Sequence, residues 1–305
     1  MIQERVLISG GTGLVGRQLC RSLQGKGYHV AILSRNDQRK SAFQTYHWDV
    51  DRYEIDYDAI ASADYIIHLA GAKIDEKRWT KKRRQIILDS RIKTGQLIFE
   101  KVKENNRRIK AFISASAIGY YGTGTSDKIY TETDPHSGDF LGEICNQWEQ
   151  TADKFEELGV RTVKVRTGVV LSSDGGVLQK LMVLIRMGIG SAIGKGNQYI
   201  PWIHLEDLCG IYLKAIDDKK MKGAYNAVAP DHKTNKEFIS TLAHMMKKPI
   251  RLPNIPAFLL KIRFGKLSAI FLEGSRISSG RIMKAGYTFR FPDIRSALTD
   301  LLFNK

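Results

Sequence analysis

Cysteine is scarce in this sequence of 305 residues, and its placement argues against two classes of protein. The three cysteines, Cys20, Cys145 and Cys209, lie far apart and are odd in number, so they predict no disulfide framework. No C-x-x-C pair and no H-E-x-x-H motif occurs, and the seven histidines are scattered along the chain. The sequence therefore predicts no metal site.

Long hydrophobic runs are also missing. No apolar stretch approaches the ~18 residues that are needed to cross a bilayer. The first apolar run, at residues 6–8, follows a short polar start that lacks the features of a secretory signal. We therefore expect a soluble, cytoplasmic protein with no membrane partner.

Acidic residues are too few to balance the basic ones. The chain has 48 Lys and Arg against 32 Asp and Glu, which leaves a net charge of +16. Such a charge attracts polyanions, among them nucleic acids and phosphorylated small molecules. The densest cationic run spans residues 77–84, and we favour a solvated helix face over an RNA-binding surface for it. Arg78 and Trp79 in this run are our candidates for contacting an anionic substrate.

The order of apolar runs predicts an α/β fold. Short apolar runs alternate with amphipathic stretches, and these runs fall at residues 6–8, 30–33, 65–69, 111–114 and 163–165. Such alternation builds a Rossmann-type, doubly wound parallel sheet with helices on both faces. A long basic helix is predicted over residues 80–105, with Ile86 and Ile87 directed inward. We predict a first domain over residues 1–171, completed by residues 202–222, and a smaller C-terminal α+β substrate lobe over residues 172–305.

A glycine-rich turn follows the first predicted strand and opens the first predicted helix. Glycines recur there at three-residue intervals. One glycine permits the sharp turn, one lets the backbone approach a pyrophosphate, and the third lets helix and strand pack closely. The free amides at the start of the helix can then bind the phosphates. The sequence predicts a dinucleotide site at Gly10, Thr12, Gly13, Leu14, Val15 and Gly16.

The end of the second predicted strand favours NADP(H) over NAD. Sites for NAD place Asp or Glu there to bind the ribose 2′-hydroxyl. This sequence has Ser34 and Arg35 instead. A guanidinium can bind a 2′-phosphate through charge-assisted hydrogen bonds, although Arg35 could also be an ordinary surface cation in a basic protein. We expect NADP(H) as the cofactor, with Ser34 and Arg35 among its binding residues.

Several motifs resemble the extended short-chain dehydrogenase/reductase superfamily. They are the glycine turn, His68-Leu69-Ala70-Gly71 and Ser114-Ala115-Ser116. An atypical branch, the NAD(P)-dependent nucleotide-sugar epimerases that carry a C-terminal domain of unknown function, is similar over essentially the whole chain. The segments that carry this closer resemblance are Lys77-Arg78-Trp79, Ser90-Arg91, Gly119-Tyr120-Tyr121-Gly122, Trp148-Glu149, Pro201-Trp202-Ile203-His204, Asn226-Ala227-Val228-Ala229-Pro230 and Gly286-Tyr287-x-Phe289-x-Phe291.

The resemblance implies roles for individual residues. The serine that polarises a substrate hydroxyl or carbonyl in the superfamily matches Ser116. The cofactor is expected to meet residues at several strand ends. These are Leu69, Ala70 and Gly71 at the adenine and ribose, Asp49 at the adenine edge, Ser114, and Gly168 and Val169 near the nicotinamide.

The chain departs from the superfamily at its acid/base pair, which is a tyrosine followed four residues later by a lysine. None of the twelve tyrosines has lysine at that spacing, and counting back from Trp148 places Leu141 and Cys145 where the pair is expected. A positioned acid/base contributes about 10²–10⁴ in rate, so its loss matters. Tyr120 or Tyr121 could replace it, although aromatic packing is the alternative interpretation of these two residues.

Two functional hypotheses therefore stay open. The first is an oxidoreductase or epimerase that acts on a hydroxylated small molecule, with a nucleotide sugar among the candidates. In it, Ser116 polarises the reacting oxygen and Tyr120 or Tyr121 exchanges the proton. The second is a catalytically silent NADP(H)-binding sensor or scaffold. We expect a monomer or a homodimer, and we expect His204 to bond locally at the start of a helix.

Overall fold

The computed structural model describes residues 4–35, 41–106 and 108–303. Strands and helices alternate through the first part of the chain. In chain order these elements are β1 (Arg5–Ser9), α1 (Leu14–Gly25), β2 (His29–Ser34), β3 (Gln44–Asp49), β4 (Glu54–Ile55), α2 (Tyr57–Ala61), β5 (Tyr65–His68), α3 (Lys81–Asn105), β6 (Ala111–Ala117), β7 (Ile129–Tyr130), α4 (Phe140–Asp153), β8 (Arg161–Thr167) and β9 (Val169–Leu171).

The remainder of the chain contains mostly helices. Its elements are α5 (Gly176–Arg186), β10 (Trp202–His204), α6 (Leu205–Asp217), β11 (Gly223–Ala227), α7 (Asn235–Met245), α8 (Ala257–Phe264), α9 (Ala269–Leu272), β12 (Arg276–Ile277), α10 (Gly280–Lys284) and α11 (Ile294–Phe303). Three short 3₁₀ turns accompany them, at Ile118–Tyr121, Lys154–Leu158 and Gly265–Ser268.

Eight strands form the main sheet in the order β11-β8-β6-β5-β1-β2-β3-β4. All the pairings are parallel except that of β4, which runs antiparallel to β3. The strand order reverses at β1, which lies between β2 and β5. A crevice opens at such a reversal, outside the carboxyl ends of the strands. The predicted Rossmann-type α/β class is confirmed.

Both faces of the sheet are covered. In β1, Val6 and Ile8 pack in one buried cluster with α1 and α6, whereas Leu7 packs in a second cluster with α3 and the short helix α2. A strand that is buried on both faces has a continuous apolar sequence rather than an alternating one. This explains why residues 6–8 form an unbroken apolar run.

Helix α3 begins one residue after its predicted start. Thr80 caps it by accepting a hydrogen bond from the Arg83 amide at 3.2 Å. The prediction for Ile86 was wrong, because its side chain is 42% exposed while that of Ile87 is fully buried. Consecutive residues on a helix are about 100° apart, so both side chains cannot face the sheet squarely.

The second part of the chain contributes to the main sheet as well as to its own core. Strand β11 pairs with β8, and α6 packs in the same buried cluster as β1 and α1. A separate cluster joins α5, α7 and α11 around the buried Trp202. The division of the chain at residue 171 stays a prediction. Among the described residues, no helix combines the length and the apolar character that a bilayer span requires.

Candidate functional site

The glycine turn after β1 packs so tightly that side chains are excluded. Gly10 has a φ of +76°, and a Cβ atom there would lie 2.8 Å from the Leu69 carbonyl carbon and 2.9 Å from the Ala70 nitrogen. A Cβ atom on Gly16 would overlap the carbonyl oxygen of Gly10. Two of the three predicted glycines are therefore required by the backbone itself, and the turn lies directly against the loop that follows β5.

The start of α1 offers free amide groups beside this turn. Gly13 precedes the helix and has no side chain to cap it, and the first turn contains no acidic residue. The Arg17 guanidinium donates a hydrogen bond to the Thr12 carbonyl at 3.1 Å, which places a cation next to the turn. The unfilled cradle and the uncapped amides fit the pyrophosphate of a dinucleotide. Leu14 and Val15, the first residues of α1, are half-buried behind it.

Two features of this turn escaped the sequence analysis. A Cβ atom on Gly11 would overlap Cγ2 of Ile32 in β2, so this position also requires glycine. A second contact involves Gly175 and Gly176 at the start of α5. A Cβ atom built on Gly175 would lie 3.7 Å from Leu14 Cδ1, and one built on Gly176 would lie 3.5 Å from Leu14 Cδ2. The glycine pair was visible in the sequence as a turn, but its contact with α1 depends on the tertiary fold.

The ends of β2 and β3 lie side by side at the crevice, because these two strands pair in parallel. Ser34 is the last residue of β2 and is half-buried, and Arg35 follows it with an exposed side chain. Asp49 ends β3, and its carboxylate accepts hydrogen bonds from the amides of Arg52 and Asp51 at 3.0 Å and 2.9 Å. These amides lower the pKa of Asp49, so this carboxylate is ionised at neutral pH.

The loop after β5 connects the turn to helix α3. The Leu69 amide donates to the Ser9 carbonyl at 3.0 Å; Leu69 and Ala70 are half-buried, and Gly71 is exposed. The preceding His68 is buried, its Nδ1 is 2.6 Å from Ser9 Oγ, and burial lowers its pKa to about 4. His68 is therefore neutral at pH 7 and ties β1 to β5.

Ser116 belongs to a buried polar network on β6. Its hydroxyl donates to Glu149 Oε1 at 2.7 Å. Arg166 donates to both oxygens of Glu149, from Nε at 2.8 Å and from Nη2 at 2.9 Å. Ser116 is 3% exposed, and the neighbouring Ser114 is also buried, with its hydroxyl directed to the Ala115 carbonyl. The network therefore holds Ser116 in place and saturates both oxygens of Glu149.

The two adjacent tyrosines differ in their surroundings. The Tyr121 hydroxyl donates to Asn226 Oδ1 at 2.7 Å and accepts from Arg166 Nη1 at 2.9 Å, and burial raises its pKa to about 12. The Tyr120 ring stacks over the Arg166 guanidinium at 3.4 Å and is half-buried. No hydrogen bond within the described part of the chain engages the Tyr120 hydroxyl. Tyr120 is thus the tyrosine with an uncommitted hydroxyl.

Leu141 and Cys145 face the loop that carries these groups. A Cβ atom on Gly119 would lie 3.3 Å from Leu141 Cβ and 3.5 Å from Cys145 Sγ. Both side chains are buried, and burial raises the pKa of Cys145 to about 12. The positions where a tyrosine and a lysine were expected therefore do border the Ser116–Tyr120 loop, but Leu141 has no ionisable group, and the neutral Cys145 thiol supplies neither a base nor a cation at neutral pH.

Gly168 and Val169 follow β8 and lie against Pro201, which precedes β10. A Cβ atom on Gly168 would lie 2.6 Å from the Pro201 carbonyl oxygen, and the Val169 amide donates to the same oxygen at 2.7 Å. This contact brings β10 beside β9. His204 Nδ1 accepts from the Glu206 amide at 3.1 Å and caps α6, so its expected local hydrogen bond is confirmed.

A cavity of about 540 Å³ lies between the start of α4 and the segment that contains α8 and α9. Trp79 forms one wall, and its ring packs against Phe140 at 5.1 Å between centroids. Arg78 lies at the margin, since a Cβ atom on Gly265 would be 2.9 Å from its guanidinium. Other lining residues include the cations Arg84, Lys261 and Lys266, and also Leu141 and Glu273. The cavity thus combines an aromatic wall with three cations and two carboxylates, Asp139 and Glu273.

The comparisons with known proteins match the chain along its length. Residues 6–228 match the NAD dependent epimerase/dehydratase family, and residues 255–301 match a domain of unknown function, DUF1731. Epimerase family protein SH2119 of Staphylococcus haemolyticus is 32% identical over 301 residues, covering 98% of this chain and 99% of that protein. A similar relative from Staphylococcus aureus, SAOUHSC_00792, is 34% identical over 304 residues, covering 98% of this chain and 99% of that protein.

Solved structures extend this likeness to three dimensions. Human epimerase family protein SDR39U1 (isoform 2), solved with NADPH, is 31% identical with a TM-score of 0.86, covering 99% of this chain and 100% of that one. A nucleoside-diphosphate sugar epimerase from Corynebacterium glutamicum is also 31% identical, with a TM-score of 0.79, covering 99% of this chain and 59% of that one. The family model, the relatives and the solved structures all indicate one protein family, and the geometry of the glycine turn agrees with it. This chain belongs to the NAD-dependent epimerase/dehydratase family.

Proposed function

We propose that this protein binds NADP(H) at the carboxyl ends of β1, β2 and β5 and acts on a hydroxylated small molecule. The observation that carries the proposal is the cradle at Gly10 and Gly16, where any side chain would collide with the backbone. The likeness to SDR39U1, which was solved with NADPH, supports it. When bound, the nicotinamide of the cofactor supplies or accepts a hydride. Residues of this chain position the reactants and move the proton.

The choice of NADP(H) over NAD(H) rests on Arg35. This exposed cation follows β2 at the crevice, where a carboxylate would repel a 2′-phosphate and an arginine can bind it. Calorimetric titration with NADPH and NADH tests the choice. We expect NADPH to bind more tightly, and Arg35→Ala to lose about tenfold or more in NADPH affinity while NADH binding is unchanged.

Lys26→Ala is the matched control for this titration. Lys26 is an exposed cation at the opposite end of α1, so its loss changes the net charge by the same amount but removes nothing from the crevice. Equal affinity of the wild-type protein for NADPH and NADH would overturn the choice of NADP(H). Absence of binding by either coenzyme would overturn the cofactor site itself.

For the substrate we propose a nucleotide sugar, bound in the cavity beside Trp79. An aromatic wall can stack on a base, and the cations Arg84, Lys261 and Lys266 can pair with a diphosphate. Arg78 at the margin would add to that charge. The test is a panel of nucleotide sugars titrated in the presence of NADPH. Trp79→Ala is expected to weaken the binding of any ligand found and to leave NADPH affinity intact.

For the reacting side chains we propose Ser116 and Tyr120, which lie on β6 and on the turn that follows it. Ser116 polarises the substrate oxygen by turning its hydroxyl away from Glu149, which keeps both of its bonds to Arg166. Tyr120 exchanges the proton, because its hydroxyl is uncommitted and a guanidinium lies beneath its ring. Tyr121 is less suited, since its hydroxyl already serves Asn226 and Arg166.

A catalytically silent sensor or scaffold is the second candidate. The observation that favours it is the pair of buried, non-catalytic side chains, Leu141 and Cys145, at the expected acid/base positions. The two candidates differ in one measurement, which is the oxidation of bound NADPH in the presence of a broad panel of carbonyl compounds and nucleotide sugars. Turnover that Tyr120→Phe abolishes supports the enzyme, whereas tight binding without any turnover supports the silent protein.

A further inference from the structure

Arg91, on α3, is a cation placed among groups that do not neutralise it. Its Nη1 donates to the Ile87 carbonyl at 2.9 Å, and its guanidinium stacks over the Trp148 ring at 5.0 Å. No carboxylate of the described residues forms an ion pair with it. Burial lowers the pKa of Arg91 to about 10, so it is nevertheless charged at neutral pH.

A donor beside Arg91 is unsatisfied. Trp148 Nε1 is buried and has no hydrogen-bond partner among the residues that the structure describes. A donor buried without an acceptor costs free energy, and the half-buried Arg91 guanidinium beside it has no carboxylate partner within the described residues. By contrast, the buried Arg166 is fully paired with Glu149. The arrangement around Arg91 therefore indicates a ligand that carries oxygen atoms.

The neighbours of Arg91 show where that ligand lies. A Cβ atom on Gly71 would be 3.1 Å from the guanidinium carbon, so Arg91 lies against the loop that borders the glycine turn. Arg91 also stacks over the ring of Trp148, which lies three residues after Cys145 on α4, and Cys145 stands where the lysine of the superfamily was expected. Arg91 thus lies between the cofactor crevice and the vacated lysine position.

We propose that Arg91 binds oxygen atoms in the nicotinamide half of the cofactor and so supplies the positive charge that the absent lysine would otherwise supply. The proposal rests on the proposed NADP(H) site. The superfamily would have a lysine on α4, at the position of Cys145, whereas here the positive charge comes from Arg91 on α3. The charge at the crevice is thus preserved, and the planar guanidinium adds several donors for oxygen atoms. The Trp148 ring orients that plane from one side.

The experiment is calorimetric titration of wild-type protein, Arg91→Met and Arg91→Lys with two probes. NADPH carries both halves of the cofactor, and adenosine 2′,5′-bisphosphate carries only the adenine half. We expect Arg91→Met to bind NADPH about tenfold to a hundredfold more weakly, because hydrogen bonds to a charged group are lost. Adenosine 2′,5′-bisphosphate should bind unchanged, and Arg91→Lys should recover part of the NADPH affinity.

Lys93→Met is the matched control, because Lys93 is an exposed cation on the same helix that pairs with Asp89. Thermal unfolding without ligand adds a second readout. If Arg91 serves the cofactor, Arg91→Met should unfold at the same temperature as the wild type or higher, since the half-buried guanidinium forms no ion pair with a described carboxylate that the substitution would remove.

The outcomes separate this inference from the proposed function. If wild-type protein binds neither probe, the cofactor site itself is wrong. If it binds both probes and Arg91→Met binds NADPH equally well, the role of Arg91 is overturned. The same holds if Arg91→Met weakens both probes equally or lowers the unfolding temperature, because Arg91 would then support the structure rather than the nicotinamide half.

Discussion

Tyr120 and Tyr121 are adjacent in the chain, yet their hydroxyl groups have opposite surroundings. One hydroxyl has no protein partner among the described residues, and the other joins Arg166 to Asn226. Because the side chains of consecutive residues point in different directions, two adjacent tyrosines can have different roles. One ring can face a ligand while the other supports the loop.

Phenylalanine at each position should separate the two roles. Tyr121→Phe leaves Arg166 and Asn226 each short of a partner and should lower the free energy of unfolding by about 1–3 kcal/mol. Tyr120→Phe keeps the ring over Arg166 and should change stability by less than ~0.5 kcal/mol while abolishing turnover. Urea unfolding of both variants checks the difference. Equal stability losses would contradict the hydrogen-bond assignment.

His68 should make the protein sensitive to acid. Burial lowers its pKa to about 4, against an ordinary value of 6.5. Between these values the unfolded chain binds a proton that the folded chain does not, so stability is retained above pH 6.5 and falls as pH drops towards 4. The loss attributable to His68 is roughly 3 kcal/mol at most. Urea midpoints measured from pH 7.5 to 4.5 should fall, and His68→Gln should flatten the decline.

Helix α1 contains two glycines, and packing restricts the residue type at only one of them. Gly16 lies against the turn, where a Cβ atom would overlap backbone atoms, whereas nothing lies within 4 Å of a Cβ atom built on Gly25. The first glycine is therefore required by packing. The second only loosens the end of the helix.

Alanine substitution should expose this difference. Gly16→Ala forces the turn away from β1 and is expected to cost about 1–3 kcal/mol of stability and most of the NADPH affinity. Gly25→Ala should be neutral or stabilise the protein by up to ~1 kcal/mol, because alanine favours helix. Thermal unfolding and calorimetry on the two variants provide the check. A harmless Gly16→Ala would show that the turn is looser than its backbone contacts indicate.

Helix α3 illustrates what a sequence pattern can and cannot predict about an element. Its predicted bounds, residues 80–105, agree with the observed bounds to within one residue, and the structure shows the Thr80 side chain accepting the Arg83 amide as a cap does. Its buried face was placed correctly at Ile87 and wrongly at Ile86. The basic run at its start is not uniformly solvated either, since Arg84 stacks over the Phe140 ring at 3.9 Å. The end of a helix can therefore depend on a local cap, whereas the exposure of each side chain on it depends on tertiary contacts.

The whole molecule contains two proposed ligand sites. The glycine turn and the loop after β5 border the crevice of the sheet, while the cavity beside Trp79 is completed by Lys261 of α8 and by Lys266 of the 3₁₀ turn that follows it. Ligands that occupy adjacent sites across two parts of a chain stabilise each other when both hold the same closed arrangement. A substrate is then expected to bind the NADPH-loaded protein best.

Thermal unfolding with added ligands tests this arrangement. At a free concentration 100 times its Kd, NADPH should stabilise the fold by about 2.7 kcal/mol and raise the melting temperature by several degrees. A nucleotide sugar that is a substrate should raise it further only when NADPH is present. The same shift with the sugar alone would contradict coupling between the two sites. Trp79→Ala should remove the second shift and keep the first.

The sequence by itself determined the features that depend on neighbours along the chain. The parallel α/β class, the glycine turn and the loss of the tyrosine–lysine pair all follow from local residue order, because apolar periodicity and backbone freedom are local properties. The tertiary structure alone decided which distant groups meet. Arg91 reaches Gly71, and Tyr121 reaches Asn226 across 105 residues, because strands that are remote in sequence end at the same edge of the sheet.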